Sequence, residues 1–144
     1  VPPIVVSDPG EVHLLKRSIL GPLAPPSIWH LRVFVNNYVP LRNVLLSNLV
    51  EASWSGYAPV VLDPMLWTTV QSVGGVATTY YTTSPTLFTP FSGMNNTYGY
   101  YLTFDNGAEL LWVQRFDLIP TVAQPSDPLR VWPIIQGHSE SQPV

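Results

Sequence analysis

The sequence predicts an all-β fold, a β-sandwich or jelly-roll-like barrel of about eight strands, with one short N-terminal helix and extended N- and C-terminal arms. Short segments of alternating apolar and polar residues recur about every ten residues, the spacing of sandwich and barrel strands. Residues 64–104 contain no Asp, Glu, Lys or Arg, and sheet-favouring Trp67, Tyr80, Tyr81, Phe88, Phe91, Tyr98, Tyr100, Tyr101 and Phe104 fall among their threonines. Of the 16 prolines, six lie in residues 1–26 and five in 120–144. Proline fixes φ and removes a backbone donor, so both ends read as arms flanking a domain of residues 27–119.

At the N-terminus, Val1-Pro2-Pro3-Ile4 lacks a basic stretch followed by an apolar core and does not read as a signal peptide. Asp8-Pro9-Gly10-Glu11 supplies a cap, a proline at the first helical position and a capping-box acid. Val12, Leu15 and Ile19 then recur at helical spacing before Gly21-Pro22, which predicts a helix over Glu11–Leu20. A second helical turn is expected around Asn43–Leu49 from Leu45, Leu46 and Leu49.

The remainder reads as strands. Trp29, Leu31, Val33 and Val35 alternate with His30, Arg32 and Phe34 in a half-buried strand that ends at Asn36-Asn37, where side-chain to backbone turns can form. Residues 50–55 and 58–62 read as two short strands around Ser55-Gly56-Tyr57. Thr68–Val73 and Val76–Thr82 flank Gly74-Gly75, a hairpin loop. Thr86–Phe91 follows Pro85, and Tyr98–Phe104 and Ala108–Phe116 flank the hairpin signal Asp105-Asn106-Gly107. On the second of these strands, Leu110, Trp112 and Phe116 are expected to share the core face. Leu129–Ile135 is a last strand, demoted by Pro133 to an edge or an arm-like addition.

Four pieces in order carry a family resemblance: Leu31-Arg32-Val33-Phe34-Val35-Asn36-Asn37, Glu51-Ala52-Ser53-Trp54-Ser55-Gly56-Tyr57-Ala58-Pro59, Tyr98-Gly99-Tyr100-Tyr101 and Leu110-Leu111-Trp112-Val113-Gln114-Arg115-Phe116. Together they resemble short virion-associated β proteins of tailed phages and prophages, over most of residues 31–116 with gaps. The resemblance implies a virion component without fixing its position in the particle. The proline-rich ends depart from the family pattern.

Composition narrows the function further. Charged residues make up 10% of the chain, against about 25% in typical soluble proteins. The net charge of −3 and the dispersed cations Lys16, Arg17, Arg32, Arg42, Arg115 and Arg130 provide no phosphate-binding stripe, so no nucleic-acid partner is expected. Apolar runs fall short of the roughly 18 residues that span a bilayer, so no membrane is expected as a partner either. The chain has no cysteine, which removes disulfides, thiolate catalysis and Cys-ligated zinc.

The side chains do not assemble into a catalytic pattern. Glu51, Asp63, Asp105, Glu109 and Asp117 are the carboxylates weighed for a glycosidase pair, and they sit on separate segments. His13, His30 and His138 lack a nucleophile elbow beside them and lack zinc-site spacing. Calcium would need a D-x-D-x-D run, which is missing. Asn95-Asn96-Thr97 matches a glycosylation sequon and reads as an ordinary turn. No catalytic, cofactor or metal residue is therefore assigned, and an enzyme is not expected. The expected function is a virion structural protein, a capsid decoration (cement) protein that binds the capsid exterior. Its expected partners are copies of itself and a major capsid or other virion protein, and its expected location is the virion, assembled in the host cytoplasm. The alternative is a carbohydrate- or receptor-binding sandwich of a phage tail or host-attachment apparatus, stacking sugars on Tyr57, Trp67 or Tyr98.

Overall fold

The computed structural model describes residues 5–6, 29–41, 43–63, 66–73, 76–82, 85–104 and 109–137. At its centre, β2 (Trp29–Phe34) pairs antiparallel with β8 (Gly99–Phe104), Leu31 facing Leu102 and Val33 facing Tyr100. β3 (Val60–Leu62) extends the sheet beyond β2, and β9 (Glu109–Arg115) extends it beyond β8. A two-residue strand, β1 (Val5–Val6), closes the far edge against Val113 and Trp112. The resulting order is β1-β9-β8-β2-β3.

The other strands form three smaller antiparallel sheets. β4 (Gln71–Val73), β5 (Val76–Tyr80) and β12 (Ile134–Gly137) lie in the order β12-β5-β4. β6 (Thr86–Phe88) pairs with β11 (Leu129–Val131), and β7 (Asn95–Thr97) pairs with β10 (Thr121–Ala123). The all-β class therefore stands, as several antiparallel sheets. Besides one 3-10 turn at Leu46–Asn48, the described residues form no helix, and that turn falls where Asn43–Leu49 predicted one. The expected helix over Glu11–Leu20 lies outside the described residues, as do the Gly74-Gly75 and Asp105-Asn106-Gly107 loops.

Two apolar clusters occupy the two faces of the central sheet. Leu31, Val33, Tyr100, Leu102, Phe104, Leu111 and Trp112 point to one side, where Phe88, Ala123, Leu129 and Val131 of the smaller sheets meet them. Phe34, Tyr101, Leu110 and Val113 point to the other, under Val44 and Leu49. Each such buried side chain contributes about 1.5–3 kcal/mol relative to exposure. Trp29, Trp67 and Trp112 meet edge to face, with centroid separations of 5.6–6.2 Å, and Tyr81 packs 5.2 Å from Trp67. This is the favoured geometry for rings with negative faces and positive edges.

Several expectations need correction. Leu110 does not share a face with Trp112. The β8–β9 register shifts between Leu102 and Thr103, so Leu102 faces Trp112 while Thr103 faces Leu110. Leu111 is therefore an extra residue, a bulge that breaks the period-two alternation and sends Leu111 and Trp112 into one cluster and Leu110 into the other. The segment after residue 119 is no arm over residues 121–137, because β10, β11 and β12 all pair within the fold. Pro133 ends β11 and lets the chain cross from β6 to β5; lacking a donor, it still accepts a bond from the Tyr81 N–H at 3.1 Å. In the N-terminal arm the described pair Val5–Val6 lies on the chain's own β9. Asn95-Asn96-Thr97 is a strand and not a turn. Thr97 is fully buried, and its hydroxyl donates to the Thr121 carbonyl at 2.6 Å.

The asparagines after β2 also act over longer range than expected. The Asn36 side chain donates to the Asn48 carbonyl and accepts from the Val50 N–H, both at 2.9 Å. Asn37 Oδ1 accepts from Arg115 Nη2 at 2.5 Å. Asn36 thereby clasps the two ends of the segment that covers the outer face of the sheet.

Candidate functional site

On that outer face, β2 alternation directs Arg32 away from the tryptophan cluster, toward Glu51. Arg32 Nη1 donates to both Glu51 carboxylate oxygens at 2.8 and 2.9 Å, and its Nε donates to Thr103 Oγ1 at 3.0 Å. Glu51 is held by an isolated bridge to Phe34 and by the Ala52 N–H bonding the Val33 carbonyl at 2.9 Å. The Tyr57 hydroxyl donates to Glu51 Oε1 at 2.9 Å and accepts the Val33 N–H at 3.1 Å. A concavity of about 190 Å³ opens here between Arg32, Leu46, Leu49, Glu51, Tyr101 and Thr103.

The electrostatics follow from this packing. Burial, reinforced by the Glu51 carboxylate, pushes the Tyr57 and Tyr101 phenols well above the ordinary tyrosine range; at Tyr101 the Arg32 charge partly opposes this. His30, next on the same face, is held below the ordinary histidine value by burial and by the Arg32 charge, with Glu51 opposing. The network thus keeps an ion pair, a neutral imidazole and neutral phenols. Its carboxylate already accepts from Arg32 and Tyr57, and the Arg32 guanidinium is bonded through Nη1 and Nε. This arrangement stiffens the junction between β2 and residues 50–57 and offers no free nucleophile.

The remaining carboxylates do not converge on Glu51. Asp63 lies beyond β3, where its N–H donates to the Tyr81 hydroxyl at 3.0 Å. Glu109 opens β9 as an exposed residue, and Asp117 follows that strand, also exposed. Asp105, His13 and His138 lie outside the described residues. Among the described residues no group of three His, Asp or Glu side chains could hold a metal ion. No helix there is long and apolar enough to cross a membrane.

The aromatics weighed as sugar platforms are turned inward. Tyr57 stacks on Phe88 at 5.8 Å and meets Trp54 edge-on at 5.3 Å. Trp67 belongs to the tryptophan cluster, and Tyr98 packs against the outer one. What the surface does carry is apolar. Val39, Leu41, Leu45 and Val50 are each more than half exposed along the segment clasped by Asn36, as are Phe91 and Met94 before β7. Phe91 also lies over Gly56, whose φ of +90° excludes most side chains and whose missing Cβ leaves room for the ring.

A second concavity, of about 260 Å³, lies between β8, β9 and β11, with Arg115, Phe116, Arg130 and Trp132 on its walls. Sequence reading missed it, because its walls come from segments that appeared to belong to the domain and to an arm. Comparison with protein-family models, curated proteins and solved structures finds no match for this chain.

Proposed function

We propose that this chain is a structural component of a virus-like particle, a decoration protein that binds the capsid exterior and further copies of itself. In this reading its antiparallel sheets form a sandwich or jelly-roll-like body, and no step of chemistry is performed. The observation that carries the proposal is the apolar outer segment, on which Val39, Leu41, Leu45 and Val50 all face solvent. Large apolar side chains exposed repeatedly along one segment are the material of a protein contact surface. The long charge-free run of residues 64–104 supports the same reading, since strand edges kept free of partners normally carry charges. The inward packing of Tyr57 and Trp67 gives less support to a sugar-binding sandwich built on those rings.

The test is self-association and particle binding by a Leu41→Asp/Leu45→Asp variant. Sedimentation should show oligomers for the parent chain and a folded monomer for the variant. The parent should co-sediment with capsids, and the variant should lose this by at least about tenfold, the effect of a ~1.4 kcal/mol loss. A parent chain that is monomeric and never sediments with particles overturns the proposal.

A further inference from the structure

We infer that the concavity between β9 and β11 is a binding site for an acidic sugar, a ring bearing a carboxylate. This does not depend on the assembly role proposed above. The described residues contain few cations, yet Arg115 and Arg130 both line this one space. Arg115 is anchored through Nη2 on Asn37 Oδ1, while its Nη1 is buried without a hydrogen-bond partner. The guanidinium, half-buried at this wall, keeps donors beyond its bond to Asn37, and a carboxylate is the acceptor whose geometry and charge suit it best. Arg130 Nη1 pairs with Asp127 at 2.9 Å, but both side chains are about half exposed or more, so this pair competes weakly with a ligand.

The rest of the lining selects a sugar over a bare anion. Trp132 is 59% exposed beside Phe116, so aromatic surface is available to the apolar face of a ring. Gln114 and Asp117, both already engaged within the chain, and Thr121, whose hydroxyl donates to the Leu118 carbonyl, keep acceptor lone pairs that suit sugar hydroxyls. A volume of about 260 Å³ lies just below the usual range for ligand pockets and suits a single ring. The same chemistry occurs in uronic and sialic acid residues of polysaccharides.

The probe is free glucuronate, with glucose, inorganic sulfate and glutamate as comparators, followed by calorimetry and by the indole N–H signal of Trp132, assigned with Trp132→Phe. A ligand of this size should bind with a constant of roughly 1 mM. Glucose, sulfate and glutamate should each bind at least tenfold more weakly. Arg115→Gln should abolish the response. Because Arg115 also holds Asn37, Arg130→Gln and Trp132→Ala provide independent variants, each expected to weaken binding at least fivefold with unchanged circular dichroism. Equal binding of glucose overturns the role of the arginines, and equal binding of sulfate or glutamate overturns the sugar. Absence of a saturable response up to about 10 mM, ten times the expected constant, overturns the site.

Discussion

Gly99 shows how one missing atom fixes the central strand pair. A Cβ built there would collide with the Gln114 carbonyl oxygen and with the Phe34 ring. Neither can retreat, since Gln114 lies in the β8–β9 ladder and Phe34 is fully buried. Gly99→Ala should therefore cost at least about 1–3 kcal/mol, seen as a lower urea midpoint at unchanged slope. An unchanged midpoint would mean that β8 and β9 are looser than this packing requires. Composition alone presents Gly99 as a weak point in a strand; its reason, close approach of a ring and a carbonyl, depends on contacts distant in sequence. The same holds for Asn36 and Asn37. Their placement at the end of β2 was legible, but their partners Val50, Asn48 and Arg115 were not.

Among the elements, β9 differs most from its sequence pattern. The run from Leu110 to Val113 is apolar without alternation, which reads equally as a strand buried on both faces or as a bulged one, and here it is both. Deleting Leu111 should leave a regular ladder with Leu110 still opposite Thr103, and a folded protein weakened by about 2–5 kcal/mol, the cost of losing a buried leucine. Deleting Tyr101 from the facing strand should instead add a second register shift and prevent folding, because a slip of one residue turns every later side chain to the opposite face. Chemical denaturation of the two variants separates these outcomes; equal stability would remove the bulge as the determinant of register. β2, β5 and β8 were legible because their alternation is long enough to register, and β9 because its apolar run is long and follows a hairpin signal. β7 and β10 were not, since Asn95-Asn96-Thr97 has weak sheet propensity and Thr121–Ala123 is a short run between prolines.

For the molecule as a whole, the buried phenols predict its response to alkali. Tyr57, Tyr100 and Tyr101 are all pushed above the ordinary tyrosine range, chiefly by burial. The folded state thus keeps protons that the unfolded chain releases near pH 10. Their contribution to stability is complete below about pH 10 and declines as pH rises beyond it toward the folded-state values. Phenolate absorbance should show Tyr57, Tyr100 and Tyr101 ionising together with unfolding. Ionisation of these three near pH 10 in a protein that stays folded would contradict their burial. At this scale the all-β class was legible from local pattern. The joining of residues 121–137 to β5, β6 and β7 was not, because local composition records strand character without recording which strands pair.

The segment clasped by Asn36 separates what the protein presents from what holds it together. Val44 and Leu49 secure it from beneath, while Val39, Leu41, Leu45 and Val50 look outward without sharing in any ladder. Their replacement alters no strand register and opens no gap between sheets. The outward character of the molecule can therefore be rewritten one side chain at a time, acquiring or discarding a neighbour while its architecture stays as it is.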